Sequence, residues 1–165
     1  MKAQRKDMCT QLLERYNAEG EASVQRILTE DESWVHQYDP ECKAQSMEYR
    51  HKTSPSPRKF KDSILQHDNA RPHTSRQTQD ALRQVELTTL QHPTYSPDLA
   101  PSDYYLFLQL KKYLKGHHYD NDEEVITNIR RWYLGQSSEF FADGVRQLVK
   151  RWRLCVDCDG DNVEK

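Results

Sequence analysis

The chain has 165 residues, with 24 Lys+Arg against 26 Asp+Glu and a formal net charge of -2. That length supports one domain. No run approaches the roughly 18 apolar residues of a membrane-spanning helix, and the opening MKAQRKDMCT lacks the apolar stretch of a secretory signal. A charge near zero means that any nucleic-acid binding must rest on local basic patches. Hydrophobic residues make up 35%, low for a core but above the level of outright disorder. The four cysteines, Cys9, Cys42, Cys155 and Cys158, are unevenly placed. They read as reduced intracellular thiols, not as a disulfide framework.

Residues 4–19 place Met8, Leu12, Leu13 and Tyr16 on one helical face, and Gly20 ends that helix. A strand is expected over Ser23–Thr29, running into Asp31 and on toward Tyr38. Residues 39–61 hold Pro40, Pro55 and Pro57 and little apolar content, so they read as a long arm. Its charge is lopsided: Lys43, Arg50, Lys52, Arg58, Lys59 and Lys61 against Glu41 and Glu48. Ser63–His67 reads as a second short strand ending at Asp68. Thr74 or Ser75 caps a helix through Gln84, and Glu86–Leu90 reads as a third strand.

Residues 91–101, QHPTYSPDLAP, carry three prolines and read as irregular. Ser102 is the expected N-cap of a helix over Asp103–Lys115, stopped by Gly116. Asn121, with Glu124 in the reciprocal position, caps a helix whose inner stripe is Val125, Ile129 and Trp132. Ser137 opens a last helix facing inward through Phe140, Phe141, Val145, Leu148, Val149 and Trp152. The tail after Cys158 is polar and expected to fray. Short strands separated by helices indicate an α/β layer with a sheet of at least three strands.

Three aspartates stand where chemistry is done. Asp31 and Asp68 end the first two strands, and Asp103 lies in the first turn of a helix. If those strands are adjacent and parallel, both carboxylates reach one edge of the sheet. Clustered carboxylates need cations, and Mg²⁺ or Mn²⁺ suits such oxygen donors. On spacing alone the favoured reading is ordinary strand-end acids for Asp31 and Asp68 and a helix-start charge for Asp103. Cys155-x-x-Cys158 lacks the further ligands of a zinc site and reads as helix-end packing. Tyr95 reads either as a surface ring near nucleic acid or as packing for the proline-rich loop.

The wording of three blocks is more specific. Asp31-Glu32-Ser33-Trp34-Val35-His36 resembles the first catalytic block of mariner-family (Tc1/mariner superfamily) transposases. His67-Asp68-Asn69-Ala70-Arg71-Pro72-His73 resembles their second block, and Tyr95-Ser96-Pro97-Asp98-Leu99-Ala100-Pro101-Ser102-Asp103-Tyr104 their third. The 34 residues between Asp68 and Asp103 match the interval that defines the family. They select Asp103 over Asp98 as the third carboxylate.

The resemblance implies an RNase H-like α/β fold, with Asp31, Asp68 and Asp103 as catalytic carboxylates holding two Mg²⁺ or Mn²⁺ ions. His67 and Asn69 would flank the metals, and His73 would support the loop. The implied reaction is hydrolysis of a DNA strand at a transposon end, then in-line attack of the freed 3′-hydroxyl on target DNA, in the nucleus. The basic residues of the arm would contact DNA backbone, and the arm would reach a partner subunit.

Two departures from the family temper this. Only 36 residues separate Asp31 from Asp68, where the family carries several dozen more that supply two strands, a hairpin and a covering helix. No helix-turn-helix reader precedes the domain, and nothing resembles the methyltransferase domain to which some relatives are fused. The expected organisation is a linker helix (1–22), a truncated RNase H-like domain (23–158) with its arm (39–61), and a disordered tail (159–165). Three readings follow: a transposase catalytic fragment with impaired activity, a vestigial or domesticated domain that binds nucleic acid or protein, or a chain lacking a segment of an active enzyme.

Overall fold

The computed structural model describes residues 1–31, 33, 35 and 63–164. The arm with its six basic residues, Trp34, His36, the continuation toward Tyr38, and Lys165 lie outside the described residues.

The elements run α1 (Lys2–Glu19), α2 (Glu21–Gln25), β1 (Ile27–Thr29), β2 (Ile64–Gln66), α3 (Arg71–Thr74), α4 (Arg76–Gln84) and β3 (Thr88–Thr89). A 3-10 turn (Pro97–Leu99) and a π-helical segment (Ser102–Phe107) lead into α5 (Leu108–Leu114), followed by α6 (Asp122–Leu134) and α7 (Ser138–Asp157). The three strands form one all-parallel sheet in the order β1-β2-β3. This is a small α/β core of the RNase H-like kind. Among the described residues β1 pairs on one side only.

Four local expectations need correction. The chain at Ser23–Gln25 is helical, and the strand starts at Ile27. Gly20, at φ 71°, turns the chain sharply enough for a second short helix to begin at once. The proline-rich loop contains the 3-10 turn Pro97–Leu99, with a proline at its start, where the missing N–H costs least. Ser102 does not cap its helix. Its hydroxyl lies 2.7 Å from Thr29 Oγ1, so a tertiary partner on β1 wins over the local one. Finally, residues 159–164 are not frayed. Gly160 is buried, and Val163 packs against the core.

The other signals hold. Ser75, Asn121 and Ser137 accept the amide hydrogens of Thr78, Glu124 and Phe140 at the starts of α4, α6 and α7. The Glu124 carboxylate reaches back, but to the Asp120 amide at 3.0 Å.

The core lies where α1 crosses α7 over the sheet. Leu148, Val149, Trp152 and Cys155 of α7 meet Cys9 of α1, Val24, Ile27 of β1, Ile64 of β2, and Leu90, Leu99 and Tyr104. Leu12, Leu13 and Tyr16 close its rim. Gly144 of α7 admits the Tyr105 ring, since a Cβ there would fall 2.7 Å from Tyr105 Cδ1. Tyr104 donates its hydroxyl to the Gly144 carbonyl at 2.6 Å. Consecutive tyrosines of the π-helical segment thus both reach α7 at one residue.

A buried charge sits on the apolar stripe of α1. Arg5 forks onto Asp98, with Nη1 2.9 Å from Oδ1 and Nη2 2.6 Å from Oδ2. Arg5 also donates to Ser96 Oγ at 2.6 Å and to the Gly160 carbonyl at 3.0 Å. The Val163 amide donates to Asp98 Oδ2 at 3.0 Å, and Arg151 donates to the Asp98 carbonyl at 2.8 Å. One ion pair therefore joins α1, the proline-rich loop, α7 and the tail. Breaking such a pair strands a buried charge, which costs about 3–5 kcal/mol. Arg5→Met is expected to lower unfolding free energy by about that amount in urea titrations. Arg15→Ala, which removes the half-exposed pair with Glu19, is expected to change it by less than about 1 kcal/mol. Equal effects from the two substitutions would contradict this account.

Candidate active site at the carboxyl edge of the sheet

Parallel strands end on the same edge, so whatever follows each strand meets there. Thr29 of β1 pairs with Gln66 of β2, and the Glu30 amide donates to the Gln66 carbonyl at 3.0 Å. Asp31 and Asp68 each stand two residues beyond that matched pair. The segment after β3 leaves the same edge, and the Leu90 amide donates to the Leu65 carbonyl at 2.7 Å. It then runs through the proline-rich loop to Asp103. The Thr29–Ser102 hydrogen bond pins the start of the Asp103 segment to the end of β1.

Asp31 and Asp103 share a hydrogen bond. Burial, the Asp31 charge and then Asp68 together push the Asp103 carboxyl up to about 7, against the pull of Lys111. Asp68 is held differently. Burial works against its charge, but the Ala70 amide at 2.9 Å and His73 Nδ1 at 2.7 Å, both on Oδ1, keep it below the usual carboxylate range. His73, expected to support the loop, is buried and does so through the carboxylate itself.

His67 and Asn69 flank the site without reaching the acids. His67 donates Nδ1–H to the Asp68 carbonyl at 2.6 Å, and its ring packs edge-on against His73 at 5.2 Å. Its Nε2 is buried and has no hydrogen-bond partner among the described residues. Asn69 donates its side-chain amide to the His92 carbonyl at 2.8 Å.

Among the described residues no three His, Cys, Asp or Glu side chains lie close enough to hold a metal ion as they stand. The donor set nonetheless suits a hard divalent cation. Asp31 and Asp103 are hydrogen-bonded, Asp68 acts on Asp103 through its charge, and the upward push on Asp103 is one that a cation would relieve.

Asp98, the rival third carboxylate, is excluded by position. It is 1% exposed, and Arg5 and the Val163 amide hold it ionised despite burial. Sequence reasoning missed Arg5, although a signal was present: it lies four residues before Cys9, on the stripe continued by Leu12 and Tyr16. It also missed Gln66 and His92. Gln66 crosses from β2 to donate to the Leu99 carbonyl at 2.9 Å, and His92 Nδ1 lies 3.2 Å from the Gln66 amide nitrogen. Cys155 packs in the core with Cys9, while Cys158 is exposed.

Three parallel strands with acids past the first two, and a third acid returning on a helix, define an RNase H-like domain. The comparisons narrow this. Over 100 residues, 61% of the chain, it is 41% identical to the human histone-lysine N-methyltransferase SETMAR. Over 101 residues it is 40% identical to the mariner Mos1 transposase of Drosophila mauritiana. It spans 15% and 29% of the lengths of these two proteins. The crystal structure of the Mos1 catalytic domain superposes with a TM-score of 0.79 at 28% identity, covering 97% of this chain and 94% of that one. The Mos1 catalytic domain with raltegravir and Mg superposes at 0.80 and 28% identity, covering 97% and 95%. The Mos1 paired-end complex with the left transposon end superposes at 0.75 and 26%, covering 99% and 63%. No family model matches the chain. Over 61% of its length the chain is similar in sequence to mariner transposases, and it carries the fold of the Mos1 catalytic domain.

His92 supplies a pH dependence. Burial pushes its imidazole down to about 4, although the Asp68 charge works the other way. The unfolded chain takes up this proton near pH 6.5 and the folded chain only near 4. Between those values the unfolded state binds the His92 proton and the folded state does not, so the His92 contribution is full above about 6.5 and is lost as pH drops toward 4. Asp103, pushed up to about 7, works in the opposite sense over the same range, because there the folded chain holds the extra proton. The measurement is therefore a difference: in urea titrations from pH 7.5 to 4.5, His92→Gln is expected to lose less stability on acidification than the unaltered protein, by up to a few kcal/mol.

Proposed function

We propose that the chain is a metal-dependent DNA-processing domain descended from a mariner transposase, with reduced catalytic output. Asp31, Asp68 and Asp103 are its metal-holding catalytic residues, and DNA is its substrate. The observation that carries this reading is the Asp31–Asp103 hydrogen bond at the carboxyl edge of the sheet, with Asp103 pushed up to about 7 by burial, by Asp31 and by the Asp68 charge. The solved relatives add weight, since their names describe Mos1 with Mg, with Mn and with a transposon end.

In this reading Asp31 and Asp103 would hold the cations, together with Asp68 from the end of β2. Mg²⁺ or Mn²⁺, when bound, neutralises the attacking and leaving oxygens of phosphoryl transfer. His73 and the Ala70 amide keep Asp68 ionised and ready to serve as a ligand. Thr29 and Ser102 fix the approach of the Asp103 segment to β1. His67 and Asn69 hold the backbone on either side of Asp68, by the hydrogen bonds already described. Lys43, Arg50, Lys52, Arg58, Lys59 and Lys61 contact DNA backbone, and the arm that carries them pairs two subunits. The chain works in the nucleus.

Reduced output follows from the scaffold. Strands of only three residues each lead to Asp31 and Asp68, and loss of positioning alone costs orders of magnitude in rate. Slow, sequence-independent nicking of supercoiled plasmid in Mn²⁺ is therefore expected, falling to background in Asp68→Ala and in Asp103→Ala. Rapid nicking abolished in both variants would contradict reduced output. Nicking unchanged in both would contradict the carboxylate assignment. Absence of nicking in the unaltered protein would favour a binding-only domain.

DNA affinity is expected to fall with salt, with a log–log slope of about 2 to 5 in magnitude, from a handful of phosphate contacts. Binding to one defined sequence that persists at high salt would contradict recognition by the arm alone.

A further inference from the structure

Tyr95 sits in a conformation that nothing in its own packing requires. Its φ is 54°, in the left-handed region that favours glycine, and the residue is 89% exposed. An aromatic residue held there costs free energy and persists only when its surroundings impose it. Those surroundings are unusually firm. On one side His92 and Pro93 are buried; on the other Ser96, Asp98 and Leu99 are buried. Ser96 donates its hydroxyl to the Thr94 carbonyl at 3.1 Å, closing a tight turn with Tyr95 at the apex, and accepts from Arg5 at 2.6 Å. Asn69, next to Asp68, holds the near side of the loop through the His92 carbonyl.

The loop therefore does not use this ring for packing; it displays it. The display is rigid, and it stands on the stretch that leaves β3 at the carboxylate edge of the sheet and returns at Asp103. A flat, amphipathic ring on a preorganised support loses little entropy on binding. On a loop that Asn69 ties to the Asp68 turn through the His92 carbonyl and that leads to Asp103, the complementary surface for a DNA-processing domain is the face of a base freed from its stack.

We propose that Tyr95 is a stacking platform for an unpaired nucleobase of the DNA strand presented to Asp31, Asp68 and Asp103. This rests on the reading of the domain as DNA-processing, and it adds a binding residue and a ligand class to it. The platform accepts any base, because every base has a π face, and it favours frayed or single-stranded ends over continuous duplex. The alternative is a protein partner that covers the ring.

The test is fluorescence anisotropy with the purified full chain in Ca²⁺, which prevents cleavage. The probes are a blunt duplex and the same duplex with a three-nucleotide single-stranded end. The unaltered protein is expected to prefer the tailed probe. Tyr95→Ala is expected to weaken binding to it by about 5- to 100-fold, with little change for the blunt duplex. Tyr95→Phe should retain the preference, since stacking needs the ring and not the hydroxyl. Circular dichroism verifies the fold of each variant. A tail carrying 5-iodouracil is expected to photocrosslink to Tyr95, located by mass spectrometry.

Equal affinities of the unaltered protein and Tyr95→Ala for the tailed probe would overturn the proposal. So would a crosslink only elsewhere, or no binding of either probe. Metal-dependent nicking that survives in Tyr95→Ala with the blunt-probe affinity intact would leave the carboxylate reading standing while the platform falls. Loss of nicking in Asp103→Ala with the tail preference retained is the outcome expected if both readings hold.

Discussion

The buried pair between Arg5 and Asp98 is the contact on which the placement of the third carboxylate depends. Residues 91–101 contain three prolines and few backbone donors to bind the loop to the sheet. Something must fix it, because its last residues set where Asp103 lies. Arg5 does so with a bidentate fork, and α1, α7 and the tail all contribute groups that solvate the pair. The low dielectric that strengthens the pair also makes it unforgiving, since either partner alone would be a buried charge. The pair also explains why Asp98, only five residues from Asp103, does not compete for the site: its oxygens are already occupied.

From that clamp the site follows by geometry. Parallel strands deliver Asp31 and Asp68 to one edge, and the clamped loop delivers Asp103 against Asp31. Burial and the Asp31 charge and hydrogen bond then push the Asp103 carboxyl up to about 7, well above its value in water. Asp68 avoids the same fate because His73 and the Ala70 amide stabilise its charge. The three acids thus have unequal electrostatics, although the blocks that contain them look alike as sequence. The strain at Tyr95 has the same origin, because a loop gripped on both sides cannot relax its apex.

Helices and their ends were legible in the sequence wherever the cause is local. Gly20, Ser75, Asn121 and Ser137 act through hydrogen bonds or backbone freedom within one turn, and all four signals hold. The sites failed where a distant partner decides. Ser102 has every local reason to cap its helix, yet Thr29 takes its hydroxyl. The polar tail looks frayed in isolation, but Arg5 and Asp98 bind it. The three aspartates were legible through block wording and the 34-residue interval; periodicity alone left them as ordinary acids. His92 and Gln66 were not legible, since their roles exist only once β2 lies beneath the loop. The truncation was legible as a short interval between Asp31 and Asp68, and its physical counterpart is a sheet of very short strands.

The central claim is that a shortened scaffold still brings Asp31, Asp68 and Asp103 to one cation-binding edge. Crystals of the protein soaked in Mn²⁺, with data collected at the manganese absorption edge, test it most directly. The account predicts an anomalous peak within about 2.0–2.4 Å of oxygens from Asp31 and Asp103, with Asp68 turned from His73 toward it. Anomalous density only at surface acids, with Asp68 still bound to His73 and the Asp31–Asp103 hydrogen bond intact, would contradict it.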